Sequence, residues 1–148
     1  MTRLAQTDEV ASVEACVRDA FSKYVDVLPL PPTALSADYG DLIARGAVHV
    51  AVDGEVLGAV TLLADGDDLM VTNLAVRPDT QGRGLGRRLM AHAEEVAAAR
   101  GCRRVTLFTH ELMVENIAFY GGLGYEETGR RITDGRSRVH FAKAITPS

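Results

Sequence analysis

The hydrophobic residues near the start of the chain recur at helical spacing. One predicted helix face carries apolar residues three or four positions apart: Val10, Val13, Val17, Phe21 and Tyr24. We expect this helix to begin at residues 8–9, with Thr7 as its N-cap. Prolines at 29, 31 and 32 end the pattern and predict a loop.

From residue 47 onward, short apolar runs alternate with turn residues and with two further helical stripes. Asp53-Gly54 is a hairpin signal, and Asp134-Gly135 separates the last two runs. The run 69–76 is apolar on both faces, which predicts a central strand. We predict helices over 8–24, 36–45, 84–100 and 114–121, strands over 47–52, 56–63, 69–76, 103–109, 125–131 and 138–145, and more weakly a strand at 2–5.

This order of elements, α-α-β-β-β-α-β-α-β-β, predicts an α+β fold with a mixed sheet. The 148 residues and their 47% hydrophobic content suggest one domain, 1–148, with a sizeable core. No apolar run approaches the roughly 20 residues of a membrane span, and residues 1–9 lack the apolar stretch of a signal peptide. We therefore expect no membrane partner and a cytoplasmic location.

Charge and cysteine content narrow the function classes. The net charge of −4 argues against a general nucleic-acid binder, which is usually basic. Cys16 and Cys102 are too few for a disulfide scaffold or a four-cysteine metal site, and we expect buried free thiols.

The segment 81–86 carries the strongest chemical signal. Glycines stand at 82, 84 and 86, directly after a predicted strand and at the start of a predicted helix. Glycine lets a ligand approach the backbone closely, and the first N–H groups of a helix lack internal partners and attract anions. Arg83, Arg87 and Arg88 add positive charge. The segment therefore predicts a phosphate or pyrophosphate site.

Three phosphate-binding patterns compete for this segment. The dinucleotide fingerprint requires G-x-G-x-x-G, and the P-loop requires Lys followed by Ser or Thr, so the spacing and Arg87-Arg88 exclude both. The pattern Q/R-x-x-G-x-G/A fits at every fixed position, from Gln81 to Gly86. With the preceding 74–78, LAVRP, the segment closely resembles the acyl-CoA-binding motif of the GNAT superfamily of N-acyltransferases. A glycine-rich turn without a ligand is the alternative.

A second informative segment covers residues 109–120. A zinc site of the H-E-x-x-H type would need histidine at 114, where Val114 stands, so we expect no metal. Asn116 and Tyr120 are four residues apart and share a helix face. With the following Gly124-Tyr125, they resemble the N-x-x-x-Y element of the same family. A purely structural core aromatic remains the alternative for Tyr120.

The resemblance covers nearly the whole chain by element order and implies a fold and a ligand. The implied fold has a mixed, mostly antiparallel central sheet flanked by helices, with splayed central strands. Acetyl-CoA would be the acyl donor, and Tyr120 would protonate the departing thiolate. The resemblance implies that Leu74, Ala75 and Val76 bind the cofactor through their main chain, with an oxyanion contact near Ala75-Val76. The other cofactor-binding residues that it implies are Gln81, Gly82, Arg83, Gly84, Leu85, Gly86, Arg87, Asn116 and Tyr120.

The general base is the point at which the sequence departs from the family. Many members carry a glutamate on the strand before the glycine loop, where Met70, Thr72 and Asn73 stand here. His110 and Glu111 follow the strand 103–109 and are the candidate catalytic replacements. A capping histidine and a solvated glutamate are the alternatives, and Asp67, Asp68 or a water chain are further candidates for the base.

The leading hypothesis is an N-acetyltransferase that transfers acetyl from acetyl-CoA directly to a primary amine in a ternary complex. A non-catalytic acyl-CoA-binding or sensor domain is the alternative, motivated by the missing strand glutamate. A third hypothesis is an enzyme that modifies a protein terminus or lysine. The resemblance also implies a homodimer. Four arginines near the last turn suit an anionic acceptor group, although solvated strand ends would explain them too: Arg130, Arg131, Arg136 and Arg138.

Overall fold

A computed structural model describes residues 1–80 and 82–147. The strands are β1 (Thr2–Leu4), β2 (Val48–Asp53), β3 (Glu55–Asp65), β4 (Asp68–Val76), β5 (Arg104–His110), β6 (Glu126–Thr133) and β7 (Arg136–Ala144). The helices are α1 (Val10–Phe21), α2 (Tyr39–Ala44), α3 (Leu85–Ala99) and α4 (Val114–Gly122). Short 3₁₀ turns lie between them. Every predicted helix and strand is present, including the weakly predicted first strand.

The described strands form one sheet in the order β1-β2-β3-β4-β5-β7-β6. Neighbouring strands are antiparallel except β4 and β5, which are parallel. The helix α3 makes the crossover that a parallel pair requires. The predicted α+β class with a mixed, mostly antiparallel sheet flanked by helices is confirmed.

The two central strands separate halfway along their length. The β4–β5 ladder ends at Val71 and Leu107, although both strands continue beyond that point. On the other side of β4, the register with β3 shifts after Thr61, which leaves Thr72 as the extra residue of a bulge. A bulge bends its strand, so the second half of β4 leaves β5. The predicted splay is confirmed, and it opens the sheet where the motif residues lie.

Helices cover both faces of the sheet. One core cluster packs α3 against the sheet, with Leu89, Met90, Ala93 and Ala97 fully buried. The other packs α1 and α2 against the opposite face, with Val13 and Val17 buried. These burial patterns match the helical stripes in the sequence and hold the start of α3 beside β4.

The N-terminal boundaries differ from the prediction. Residues Thr7–Glu9 form a 3₁₀ turn, so α1 begins at Val10 and Thr7 is not its cap. The Gln6 amide donates to the Glu9 carboxylate at 2.8 Å, and Arg3 pairs with the same carboxylate at 2.7 Å. The Glu9 carboxylate therefore accepts the hydrogen bond of the free backbone N–H at the start of the turn, and Thr7 does not act as the cap.

The second predicted helix is shorter than its pattern. It begins at Tyr39, where Asp38 accepts from the Asp41 amide at 3.0 Å as the N-cap. Of the two cysteines, Cys16 is buried and Cys102 half-buried, and both are free thiols. Burial raises the pKa of Cys16 to about 12. Among the described residues, no helix combines the length and apolarity needed to cross a bilayer.

Candidate active site

Two cavities adjoin at the opening between β4 and β5. The first, here called the glycine groove, lies between β4, the start of α3 and α4, and is lined by Leu74, Val76, Gly82, Gly84, Leu85, Gly86, Arg87 and Asn116 among others. The second, the arginine chamber, lies between β4, β5, β7 and the loop after α1, and is lined by Asn73, Phe108, His110, Tyr120, Arg136 and Arg138 among others. Phe21, Leu74 and Asn116 line both cavities.

The start of α3 presents free amides to the glycine groove. Gly84 is the N-cap in a left-handed conformation (φ 75°), with no side-chain cap, and the first intrahelical bond runs from the Arg88 amide to the Gly84 carbonyl at 3.0 Å. The amides of residues 85–87 therefore lack helical partners. The first turn holds no acidic residue, and Arg87 lines the groove. An anion is the group that this positive helix end favours.

Arg83 lies away from the glycine groove. Arg83 lines a separate small cavity together with Arg88, on the side facing β2. Arg88 also donates to the Arg83 carbonyl at 3.4 Å. Of the motif arginines predicted to bind the cofactor, the structure thus brings Arg87, and not Arg83, to the groove. Gln81, also predicted as a cofactor ligand, lies outside the described residues.

The strand register decides which main-chain groups of β4 face the opening. The Arg77 amide donates to the Leu57 carbonyl of β3 at 2.9 Å, and Ala75 is opposite Ala59. Because main-chain groups alternate sides along a strand, Ala75 pairs with β3. Leu74 and Val76 direct their N–H and C=O groups toward the parted β5. The expected main-chain contact of Ala75 with the cofactor therefore does not fit the register, whereas the contacts expected of Leu74 and Val76 do.

Asn116 and Tyr120 lie next to this opening. The Asn116 amide nitrogen donates to Thr109 Oγ1 at 3.4 Å, which fixes the side chain between α4 and β5. Tyr120 is 6% exposed, and its ring packs edge-on against Phe119 and Tyr125. Its side chain nevertheless lines the arginine chamber. Burial raises the pKa of Tyr120 above its ordinary value, so the hydroxyl keeps its proton at neutral pH.

The two candidate bases have different surroundings. His110 lines the arginine chamber, and its Nδ1 accepts from the Leu112 amide at 3.0 Å. The neutral ring in this arrangement carries its proton on Nε2 and has no free lone pair for an acceptor amine. Glu111 is exposed, lies 4.0 Å from Arg130 and lines neither cavity. The geometry thus argues against both as direct bases.

Neutral groups occupy the candidate positions on β4 at which the resemblance implies a glutamate. Asn73 is buried, accepts from Thr61 Oγ1 at 3.4 Å and donates to the Tyr39 hydroxyl at 3.1 Å. Tyr39 in turn donates to the Ala34 carbonyl at 2.7 Å. This chain of bonds ties the loop after α1 to β4. Thr72 lines the chamber, and Asp68 pairs with Arg104 at 2.8 Å where β4 begins.

Some residues of the site were not singled out by the sequence. Phe21 and Tyr24 line the glycine groove, and the Tyr24 hydroxyl is buried without a hydrogen-bond partner among the described residues. In the sequence, the only feature that pointed to these two residues was the apolar stripe of the first helix, which continues up to the proline loop. Away from both cavities, His49 and His92 are 2.8 Å apart, a pairing that the sequence did not indicate. Burial lowers the pKa of His49 to about 4.

Proteins that are similar to this chain in sequence include acetyltransferases. The family described as Acetyltransferase (GNAT) family matches residues 13–125. N-alpha-acetyltransferase 80 of Mus musculus is 41% identical over 81 residues, 55% of this chain and 24% of that protein. An acetyltransferase of Pectobacterium atrosepticum is 33% identical over 90 residues, 57% of this chain and 64% of that one. The chain thus spans less than two thirds of the length of either relative.

Solved structures share the fold across nearly the whole chain. PaiA N-acetyltransferase from Thermoplasma acidophilum, in complex with coenzyme A, superposes with a TM-score of 0.83 at 16% identity and covers 97% of this chain and 98% of that one. The ribosomal-protein-S18-alanine N-acetyltransferase from Escherichia coli has a TM-score of 0.76 at 20% identity and covers 100% and 95%. In the described part of the chain, no group of three or more potential ligands is arranged for a metal.

Proposed function

The chain belongs to the acetyltransferase (GNAT) family, and we propose that it is an N-acetyltransferase that transfers acetyl from acetyl-CoA directly to a primary amine in a ternary complex. The observation that carries this proposal is the meeting of the two cavities at Leu74 and Asn116. One cavity suits a phosphorylated acyl donor and the other an acceptor. Each reactant then reaches the parted strands from its own side.

The glycine groove has the features that acetyl-CoA requires. Unpaired amides at the start of α3 suit the pyrophosphate, and Arg87 adds a charge-assisted donor. A Cβ on Gly86 would lie 3.3 Å from the Phe119 ring, so glycine there lets α3 and α4 approach closely. The outward groups of Leu74 and Val76 offer strand-like partners to the pantetheine amides.

Acetyl-CoA supplies a thioester carbonyl, and the lone pair of a neutral amine attacks its carbon to form the C–N bond. The electrons of the C–S bond then leave with sulfur. One proton passes to solvent for each ammonium consumed. The Leu74 or Val76 amide would stabilise the oxyanion from the open edge of β4. Tyr120 would give its hydroxyl proton to the thiolate and regain one, through water, from the positively charged nitrogen of the tetrahedral intermediate, and its burial favours the protonated phenol before transfer.

Removal of the amine proton requires a different arrangement from a strand carboxylate. The described lining of the arginine chamber contains no aspartate or glutamate. It contains Arg136, whose positive charge disfavours a neighbouring ammonium and so lowers the pKa of a bound amine. We propose that this field, with water as the proton carrier, replaces a dedicated base.

The proposal is tested by binding and turnover with the same protein. Acetyl-CoA at about 100 times its Kd is expected to stabilise the fold by about 2.7 kcal/mol, which raises Tm by several degrees. Thiol release should then appear with at least one member of a panel of primary amines. A chain that no acyl-CoA stabilises would contradict the proposal. Stabilisation without transfer to any amine would instead favour a non-catalytic acyl-CoA sensor, the alternative suggested by the missing carboxylate.

A substitution at His110 tests the assignment of the base. His110→Asn keeps a side-chain acceptor for the Leu112 amide and removes the imidazole. We expect kcat/KM to fall by less than about threefold, and the rise of kcat/KM with pH to keep its midpoint, because the titrating group is the acceptor amine. Loss of an inflection near the ordinary histidine pKa in the variant would show instead that His110 is the base.

A further inference from the structure

We propose that the acceptor is a small primary amine that carries a carboxylate, and that Arg138 binds this carboxylate in the arginine chamber. The inference rests on the proposed acetyl transfer and deepens it by naming the acceptor class. Three independent features of the chamber's described residues support this inference. They are an arginine without an ionic partner, an absence of acidic lining residues, and a side that is closed by the β6–β7 turn and the loop after α1.

Arg138 is held in place but not neutralised. It extends from β7 opposite His110 of β5, and its guanidinium carbon lies 4.1 Å from the centre of the Phe108 ring. Stacking on an aromatic face fixes the plane of a guanidinium and leaves its N–H edge free. Among the described residues, no carboxylate lies within 4.0 Å of it, whereas Arg130 on the neighbouring strand pairs with Glu127 at 2.6 Å.

Arg138 is partly buried and lies close to the positive charge of Arg136. Burial and the neighbouring Arg136 lower the pKa of Arg138, and Asp134 opposes this shift only in part, so the charge of Arg138 lacks full compensation. Arg136 itself donates to the Pro31 carbonyl at 2.9 Å and to the Asp134 carbonyl at 3.3 Å. Arg138 is therefore the guanidinium with donors to offer. A carboxylate matches this fork with two parallel hydrogen bonds, while a polycationic amine would be repelled.

The β6–β7 turn and the loop after α1 close one side of the arginine chamber, which favours a small acceptor. Arg136 joins the β6–β7 turn to the loop after α1 through Pro31. Next to it, a Cβ on Gly135 would lie 3.2 Å from Leu30 Cδ1, so the turn and the loop are in contact there. The loop is also tied to β4 through Tyr39 and Asn73. This closed side argues for a free amino acid rather than a folded protein or a long peptide.

The experiment compares acceptors that differ only in the carboxylate. Glycine, β-alanine and γ-aminobutyrate are each paired with their carboxamide, which keeps the amine and the chain length, and kcat/KM is measured at several pH values so that both amines are compared in their neutral form. The best carboxylate is expected to exceed its carboxamide by about 10–100-fold, as for a charge-assisted bidentate contact. The series also reports the distance between the amine and the Arg138 subsite.

Variants assign the preference to one side chain. Arg138→Gln is expected to remove most of the carboxylate preference through KM, with acetyl-CoA affinity unchanged. Arg138→Lys, which keeps the charge without the planar fork, should retain part of the preference. Arg131→Gln removes the same charge from the neighbouring strand, outside both cavities, and should retain all of it. Tm of each variant shows whether it is folded.

Equal use of carboxylates and carboxamides, or a full preference in Arg138→Gln, would overturn the inference while acetyl transfer still stood. Acetylation of peptides with an acidic first residue, without turnover of any free amino acid, would overturn the small acceptor. A failure of acetyl-CoA binding is a separate result, because it would remove the proposed function before any acceptor is compared.

Discussion

Replacement of Tyr120 by phenylalanine is expected to lower kcat by about 10²–10⁴-fold, the usual contribution of a positioned proton donor. The reason is that departure of the thiolate requires a proton, and Tyr120 is the buried phenol on the chamber wall next to the opening. The acetyl-CoA Kd should change by less than about threefold, because the groove contacts that we assign to binding come from main-chain groups, Arg87 and Asn116, and not from the Tyr120 hydroxyl. Steady-state kinetics and calorimetry with acetyl-CoA measure the two quantities.

Tyr125→Phe provides a matched control. Tyr125 packs against Tyr120 in the same core cluster, but its hydroxyl donates to Glu94 at 3.0 Å and lines neither cavity. Its loss should lower stability by about 1 kcal/mol and leave kcat nearly unchanged. If Tyr120→Phe also retained turnover, the phenol would not be the acid, and the Tyr24 hydroxyl beside the glycine groove would be the next group to replace.

The second large effect is expected from Gly84→Ala, which should weaken acetyl-CoA binding by about tenfold or more. Gly84 lines the glycine groove with φ 75°, and a Cβ there would meet none of the described atoms within 4 Å, so we expect it to take up open space of the groove next to the α3 amides. The pyrophosphate would then be displaced from those amides. Isothermal titration with acetyl-CoA and with coenzyme A measures the loss.

Gly101→Ala separates this loss from backbone strain. Gly101 follows the other end of α3 with φ 73°, and a Cβ added there would likewise meet none of the described atoms within 4 Å, but it lines neither cavity. Both substitutions place alanine in a left-handed conformation, and both should destabilise the fold by about 1–2 kcal/mol. Equal losses of acetyl-CoA affinity in the two variants would mean that strain, and not the groove, is responsible.

The helices, the strands and the place of the glycine loop at the start of α3 could be predicted from local sequence. The α3 stripe, the glycines before it and the hairpin signals each depend on residues near one another in the chain, so spacing alone predicted the helices and strands. The same holds for Asn116 and Tyr120, which share a face of one helix. The boundaries near Thr7 and Asp38 were less predictable, because which side chain reaches a free amide depends on the course of the chain outside the helix.

The acceptor side required the three-dimensional structure. Arg138 reaches the chamber only because β7 pairs with β5, and that pairing joins strands separated by α4 and β6. The choice of Leu74 and Val76 over Ala75 depends on the register that follows the Thr72 bulge. His110 was a plausible base from its position, but its bond to the Leu112 amide depends on the local turn after β5. Such features arise from long-range pairing or loop geometry, which residue patterns do not encode.

The most direct test is a crystal structure with coenzyme A and a carboxylated amine. The account predicts the pyrophosphate on the amides of residues 85–87, pantetheine along Leu74 and Val76, the sulfur within hydrogen-bonding distance of the Tyr120 hydroxyl, and the carboxylate on Arg138. Coenzyme A bound away from the parted strands, or a sulfur that the Tyr120 hydroxyl does not approach, would contradict it.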